Sequence, residues 1–254
     1  MGVAAGAVTG AFVTAGGPGG VPRTGGADDL AARLADVRRR LVAAAARSGR
    51  SGTDIHLVVV TKGVAVPAIA SALDAGARDL GESRAQELLA KAEAPELGDR
   101  PVWHFVGRLQ RNKIGALAPV VSLWQSVDRL EVGEAIARRA PGASVLVEVN
   151  VAGDRAKAGC RPEHARALVD GLGRAGLVVR GLMTVPALGP DPRPAFAALA
   201  ELGGRLGLPE LSMGMSDDFE AAVEEGATMV RVGRAIFEPQ AKTGPPTPPS
   251  SLQR

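Results

Sequence analysis

Short apolar segments alternate with segments of helical periodicity from Asp54 to Phe237. The apolar segments are rich in β-branched residues and are predicted to be strands; in chain order they are DIHLVVVT, ARDLG, VWHFVG, VSLWQSV, SVLVEVNV, VVRGLMTV, ELSMG and TMVRVG. Parallel strands need a long crossover connection, usually a helix, so the alternation predicts an α/β protein with parallel pairing. Eight units in about 185 residues are more than an open sheet of this length usually holds. The pattern therefore predicts a single closed (β/α)8 TIM barrel, with its chemistry at the strand ends.

One further helix is predicted ahead of the barrel, in the segment DDLAARLADVRRRLVAAAARSGR. Its apolar stripe, at spacings of four, three and four, consists of Leu30, Leu34, Val37 and Leu41. Asp28 or Asp29 is expected to cap the start of this helix, and Gly49 to end it. The segment is rich in arginine, and a solvated helix face is the expected role of those side chains.

The two ends of the chain are predicted to be disordered. Residues 1–27 are rich in Gly, Ala, Val and Thr, and the first twenty carry no charge. They lack the basic region and the compact Leu-rich region of a secretory signal, although a weak targeting segment remains an alternative. Residues 239–254 form a Pro-rich, apolar-poor tail. The barrel domain is therefore expected to span residues 28–238.

The basic charge of the chain is local. The net charge is +3, while residues 21–50 alone contain seven Arg and three Asp, an excess of four positive charges. Aromatic residues are not interleaved with these arginines, so nucleic-acid binding through the helix is only a remote alternative. No apolar run approaches the roughly 20 residues that cross a bilayer, so no membrane association is expected. The single cysteine, Cys160, forms no internal disulfide and excludes sites built from several thiolates.

The first strand ends at Thr61-Lys62-Gly63, which places a lysine at the mouth of the predicted barrel. Neutral amines form Schiff bases with aldehydes, and burial lowers the pKa of a lysine toward that form. The apolar segment Val58–Val60 is expected to flank the stem of Lys62. A solvated lysine at a strand terminus is the alternative.

Small and charged residues follow the last two strands. LSMGMSDDFEAA places Ser212, Gly214 and Ser216 around a strand-to-helix turn, and TMVRVGRAIF places Arg231 and Gly233 at the end of strand eight. Small residues let a phosphate approach backbone N–H groups, and barrels of this kind commonly bind phosphate after strands seven and eight. With the strand-one lysine, these residues predict a site for a phosphorylated aldehyde.

His104 lies in the third strand, on the face that it shares with Val102 and Val106, whereas Trp103 and Phe105 share the other face. Its imidazole is a candidate for contacting a ligand ring or handling a proton. A hydrogen-bonded residue of the barrel wall is the alternative.

The motifs VVVTKG, DLGESRAQE, WHFVGRLQRNK, SVDRL, EVNVAGDRAKAGC, GLMTVP and LSMGMSDDFEAAVEEGATMVRVGRAIF occur in this order over about residues 28–237. In these motifs the chain resembles the pyridoxal phosphate homeostasis proteins, also called proline synthase co-transcribed homologues. The resemblance implies a barrel of the alanine racemase N-terminal-domain type. It also implies that pyridoxal 5′-phosphate is bound as a covalent aldimine on Lys62.

The resemblance further implies a set of residues around the cofactor, with Arg231 facing the pyridine nitrogen. The set is Lys62, Ser83, His104, Met183, Ser212, Gly214, Met215, Ser216, Arg231 and Gly233. The chain departs from the family pattern in three places. Ser83 stands where GEN would place an asparagine, GVAVP moves the proline of the usual TKP-like continuation after the lysine, and Glu238 stands where a glycine usually follows IF.

Two features predict a carrier rather than an enzyme. Arginine only donates hydrogen bonds, so opposite the ring nitrogen it leaves that nitrogen unprotonated and weakens the cofactor as an electron sink. Racemases of this fold ordinarily use a tyrosine as second base, and the chain contains no tyrosine. We expect a cytoplasmic monomer that buffers pyridoxal phosphate and passes it to apoenzymes or amino acids. The alternatives are a racemase or decarboxylase that uses His104 or Cys160 as an acid, and a cofactor-free Schiff-base aldolase.

Overall fold

The structure is a computed structural model that describes residues 27–154, 157–186 and 191–238. The predicted disordered ends lie outside the described residues, apart from Ala27. The closed barrel is confirmed: eight strands pair in sequence order, and the eighth pairs with the first. Every pairing is parallel, which is why each strand is followed by a connection that returns to the same end of the barrel.

The strands are short, with three to seven residues each. They are β1 His56–Val60, β2 Asp79–Glu82, β3 Val102–Phe105, β4 Val121–Val127, β5 Ser144–Glu148, β6 Val178–Met183, β7 Glu210–Ser212 and β8 Met229–Val232. The helices are α1 Ala27–Arg47, α2 Val66–Asp74, α3 Ala85–Ala92, α4 Arg111–Leu117, α5 Leu130–Ala137, α6 Ala165–Arg174, α7 Arg193–Leu206, α8 Phe219–Glu224 and α9 Arg234–Phe237. Short 3-10 turns lie at Gly52–Asp54 and Pro162–His164.

The strands bury both faces, as parallel strands in a barrel must. A small apolar cluster inside the barrel consists of Val58, Leu123, Leu146, Met183 and Met229. Residues that alternate with these along the strands pack outward against the helices in a larger cluster. Buried polar side chains also lie inside the barrel, among them His104, Gln125, Ser212 and Arg231. We call the C-terminal ends of the strands the mouth.

Helix α1 has the predicted apolar stripe, because Leu30, Leu34, Val37 and Leu41 are all buried. The predicted cap is wrong: the helix begins at Ala27, so Asp28 and Asp29 lie inside its first turn rather than ahead of it. The predicted end is confirmed, since the helix stops at Arg47 and Gly49 follows with a φ of 69°.

Several arginines of α1 attach this helix to the barrel. Arg38, Arg39 and Arg47 are exposed, as the predicted solvated face expects, whereas Arg33 and Arg40 are half-buried. Arg40 makes two hydrogen bonds of 3.0 Å to the Glu220 carboxylate, and Arg38 donates to the carbonyls of Ala75 and Gly76 at 2.9 and 2.7 Å. The positive charge of this segment is thus largely used within the molecule. Among the described residues, no helix combines the length and the apolar character that a membrane crossing requires.

Candidate functional site at the mouth of the barrel

Lys62 follows β1 directly and lies at the mouth, as the sequence predicts. Its side chain is exposed, so the expected burial against Val58–Val60 is not found; Val58 points into the barrel and Val59 packs outward. Lys62 lines a pocket of about 470 Å³ together with Gly233 and Arg234, which follow β8. The ends of the first and last strands are neighbours in a closed barrel, and this adjacency brings the lysine to the β8 loop.

The loop that carries the lysine is braced by a buried ion pair that the sequence did not reveal. Lys91 of α3 donates to the Glu82 carboxylate at 2.7 Å and to the carbonyl of Thr61 at 2.7 Å. On the other side of the lysine, the N–H of Gly63 donates to the Glu87 carboxylate at 2.7 Å. That backbone hydrogen bond, helped by Arg84, lowers the pKa of Glu87 to about 2. Both neighbours of Lys62 are therefore anchored.

Glu82 is fully buried at the end of β2 and accepts four hydrogen bonds. Besides Lys91, the donors are the Thr61 hydroxyl at 3.1 Å and the N–H groups of Ser83 and Arg84 at 2.8 and 3.3 Å. A buried carboxylate requires such compensation, since an unpaired charge in this setting is very costly. The cation on α3 is its only positively charged partner among the described residues.

Arg231 is buried within the barrel near the mouth. Its Nη1 donates to the Ser212 hydroxyl at 2.7 Å and its Nη2 donates to the carbonyl of Thr184 at 2.8 Å. Burial lowers the pKa of Arg231 to about 10, against the opposing influence of the negative charges on Glu148 and Asp218. The guanidinium still carries its charge at neutral pH.

Ser212 and His104 belong to one chain of hydrogen bonds. The Ser212 hydroxyl donates to Oε1 of Gln125 at 2.6 Å, and Nε2 of Gln125 lies 2.7 Å from Nδ1 of His104. Nε2 of His104 lies 3.2 Å from the carboxylate of Asp79, and this hydrogen bond is the main cause that lowers the pKa of Asp79. Both ring nitrogens of His104 therefore have partners inside the protein, as the wall-residue alternative expected.

Two glycines predicted to admit a phosphate are also required by packing. Gly214 has a φ of 92°, and a Cβ there would lie 2.5 Å from Cβ of Ala222. A Cβ on Gly233 would lie 2.9 Å from the carbonyl oxygen of Val60. Close approach of the α8 and β1 backbones thus explains these residues without any ligand.

The loops after β7 and β8 nevertheless present unused donors. In the described part of the chain, the N–H groups of Ser216, Gly233 and Arg234 have no hydrogen-bond acceptor. The N–H of Met215, by contrast, donates to the Asp218 carboxylate at 2.5 Å. The Ser216 hydroxyl accepts from the N–H of Ala235 at 3.3 Å, which holds the two loops together and leaves its own proton to donate. Together these groups fit an oxyanion.

The other predicted residues are more dispersed. Met183 is buried in the apolar cluster inside the barrel. Ser83 is half-buried after β2 and lines a separate, smaller pocket of about 190 Å³ with Phe105 and Lys113. The structure thus places Lys62 beside Gly233, joins Arg231 to Ser212, and leaves Ser83 outside the lysine pocket.

The structure adds one acidic residue that sequence reasoning missed. Glu148 ends β5, is 9% exposed, and its carboxylate accepts no hydrogen bond from any described residue. Burial and the negative charge of Asp128 raise the pKa of Glu148 to about 7, although Arg231 opposes this shift. The nearby Cys160 is half-buried, and burial with the same aspartate raises the pKa of its thiol to about 12. The segment EVNVAGDRAKAGC, which contains both residues, gave no sign in its sequence that either pKa would be raised.

Comparison with known proteins supports these assignments of fold and family. The model of the alanine racemase N-terminal domain matches residues 33–240. The pyridoxal phosphate homeostasis protein of Pseudomonas aeruginosa is 41% identical over 219 residues, covering 82% of this chain and 94% of that protein. The protein of the same name from Escherichia coli K12 is 38% identical over 227 residues, covering 83% and 96%.

Solved structures show the same architecture. A protein of unknown function from Bifidobacterium adolescentis is 36% identical with a TM-score of 0.79, covering 85% of this chain and 98% of that one. PipY of Synechococcus elongatus, solved with pyridoxal phosphate bound, is 33% identical with a TM-score of 0.70, covering 82% and 99%. With this similarity along most of its length, the chain belongs to the alanine racemase N-terminal-domain family and, within it, to the pyridoxal phosphate homeostasis proteins.

Proposed function

We propose that this protein binds pyridoxal 5′-phosphate at the mouth of the barrel, with Lys62 as the covalent attachment point, and buffers the cofactor for use by other proteins. The observation that carries the proposal is that Lys62 and Gly233 line one pocket. An amine that reacts with an aldehyde therefore lies beside unused backbone donors that suit a phosphate. The binding of pyridoxal phosphate by PipY, a relative over most of the chain, supports the same ligand.

Each part of the ligand has a matching group. The unused N–H groups of Ser216, Gly233 and Arg234 would hold the phosphate. Arg231 would face the pyridine nitrogen, with its orientation set by Ser212. The amine of Lys62 would hold the aldehyde, and its exposed position suits exchange with an incoming amine. The walls around the cofactor would include Met183, Gly214 and Met215. Ser83 lines a separate pocket, so it would not contact the cofactor directly.

Weak catalysis follows from the charge of the site. Pyridoxal phosphate, when bound, supplies an aldehyde for amines and an electron sink whose strength depends on a protonated ring nitrogen. Arg231 remains charged and can only donate, so it would keep that nitrogen unprotonated. The pKa of the Cys160 thiol is raised to about 12, so the thiol holds its proton tightly and is a poor acid at neutral pH. The hydrogen bonds of His104 also engage both of its nitrogens, and nothing observed favours the racemase alternative.

The wider proposal is that the protein acts in the cytoplasm as a monomer and passes its cofactor to apoenzymes or free amino acids. Exposure of Lys62 supports transfer, since an incoming amine must reach the attachment point. The arginines of α1 are tied to the barrel, so they support no nucleic-acid partner.

Borohydride reduction of the loaded protein, followed by peptide mass mapping, tests the attachment point. We expect a pyridoxyl adduct on Lys62, and its loss in Lys62→Ala. Lys113→Ala is the matched control, because this lysine lies outside the lysine pocket and should leave the adduct unchanged. An adduct on another lysine would refute the assignment, and a protein that binds no pyridoxal phosphate would favour the aldolase alternative. Solvent deuterium uptake at Cα of an amino acid, at a rate typical of racemases, would refute the carrier proposal.

A further inference from the structure

A chain of polar side chains crosses the interior of the barrel between the mouth and the start of β2. Its members, in order, are Arg231, Ser212, Gln125, His104 and Asp79, and the four successive contacts measure 2.7, 2.6, 2.7 and 3.2 Å. Gln125 and Ser212 are fully buried. Buried polar groups in a network of this kind specify one arrangement when every member has a partner.

The donors and acceptors of the chain have a single consistent direction. A guanidinium can only donate, so the Ser212 oxygen accepts from Arg231 and its one proton is left for Gln125. The amide oxygen of Gln125 is thereby engaged, and its NH2 group faces Nδ1 of His104. The imidazole proton then lies on Nε2 and is donated to the carboxylate of Asp79.

The chain holds Arg231 without neutralising it. Its two anchors, the Ser212 hydroxyl and the Thr184 carbonyl, are both uncharged. Glu148 and Asp218 act on its charge only at a distance, since neither forms an ion pair with it among the described residues. A direct carboxylate partner would compete with any ligand for the guanidinium, whereas the neutral anchors leave its charge available.

We propose that Gln125 is a positioning residue for Arg231: by accepting the Ser212 proton, it fixes the serine oxygen as an acceptor and the guanidinium in the orientation that meets the ligand. This inference rests on the proposed function, because the ligand group is the pyridine nitrogen. Gln125 itself reaches Arg231 only through Ser212, so its contribution is to orientation and not to contact.

Two substitutions separate this role from a general contribution to packing. Gln125→Met has a similar shape but offers Ser212 only a thioether sulfur, a much weaker acceptor than the amide oxygen. The dissociation constant for pyridoxal phosphate should therefore rise about fivefold, and the absorbance maximum of the bound cofactor should move. Gln125→Glu keeps the acceptor for Ser212 and should stay within about twofold of wild type. Because a carboxylate cannot donate, this variant instead loses the NH2 donor that faces Nδ1 of His104.

The control is Ser126→Ala at the adjacent position in β4, which removes a partly buried hydrogen bond of 2.5 Å to the carbonyl of Gly107. This variant should lose stability without changing the cofactor spectrum. The chain has three histidines, so nitrogen-15 NMR can assign the His104 tautomer in the ligand-free protein by comparison with His104→Ala. We expect the Nε2–H form in wild type.

Unchanged cofactor affinity and spectrum in Gln125→Met would overturn the inference, as would an Nδ1–H tautomer of His104 in wild type. If Gln125→Met fails to fold, the His104 tautomer of the wild-type protein and the cofactor affinity of Gln125→Glu still test the inference. Borohydride labelling of Lys62 in the wild-type protein distinguishes the two proposals. If Lys62 is labelled and Gln125→Met binds the cofactor as wild type does, only the positioning role is rejected. If Lys62 is not labelled, the proposed function is rejected.

Discussion

Replacement of Lys91 by methionine is expected to destabilise the protein and to loosen the loop that carries Lys62. Lys91 is buried, and its Nζ donates to Glu82, to the carbonyl of Thr61 and to Glu87 at 2.7, 2.7 and 3.1 Å. Methionine has nearly the same length but no charge, so the variant leaves the Glu82 carboxylate buried without a cation.

The magnitude follows from what remains around Glu82. Removal of one partner of a buried ion pair costs about 3–5 kcal/mol. Glu82 keeps three donors, the Thr61 hydroxyl and the N–H groups of Ser83 and Arg84, so the low end applies. We expect a loss of about 3 kcal/mol in the free energy of unfolding, which for a chain of this size lowers Tm by about 6–12 °C.

Urea unfolding followed by circular dichroism measures this loss, with Lys113→Met as the control. Lys113 is half-buried and forms no ion pair with any described residue, so its substitution should change stability by less than about 0.5 kcal/mol. The double variant Glu82→Gln with Lys91→Met should recover to within about 1.5 kcal/mol of wild type, because it buries no unpaired charge. A loss below about 1 kcal/mol in Lys91→Met, or a double variant as unstable as the sum of the single ones, would refute the reasoning.

Three further predictions test other parts of the mouth. The pKa of Glu148 is raised from 4.5 to about 7, so the unfolded chain loses this proton first, and the free energy of unfolding falls as pH rises between these values. Glu148→Gln should remove this fall and stabilise the protein by up to about 3 kcal/mol at pH 8. Urea unfolding at several pH values measures the effect. With a thiol pKa of about 12, Cys160 should react with iodoacetamide at pH 8 at least about a hundredfold more slowly than free cysteine, and rapid labelling would contradict its burial. Gly214→Ala places a Cβ 2.5 Å from Ala222 at a positive φ and should cost at least about 2 kcal/mol, whereas Gly204→Ala, with open space at its Cβ, should gain about 0.5–1 kcal/mol in thermal unfolding.

The features that were predicted correctly depend on the pattern of residues within one short segment of the chain. The stripe from Leu30 to Leu41 has helical spacing, and the apolar segments of the strands have their own period, so both could be recognised without knowledge of neighbours. Lys62 could be placed at the mouth because it ends a strand and the barrel rule locates strand ends. The start of α1 was missed because two acidic residues resemble a cap whether they lie before the helix or in its first turn.

The features that were missed depend on burial. Glu87 and Lys91 have the spacing of an ordinary surface pair on a helix, and only the packing of α3 against the strands makes Lys91 a buried cation. Glu148 looks like any charge at a strand end until its neighbours exclude water from it. Sequence patterns report the period of apolar residues, and they contain no direct measure of how deeply a polar group is covered.

The sequence by itself determined that this chain forms a barrel, that Lys62 and Arg231 stand at strand ends, and that no tyrosine is available as a base. These are properties of order and composition, so no contact is needed to infer them. Only the tertiary structure decided which groups meet: Ser212 is separated from Gln125 by 87 residues, and Arg40 from Glu220 by 180. Closure of the barrel brings such distant positions together, because each interior side chain is surrounded by strands that come from the whole length of the chain.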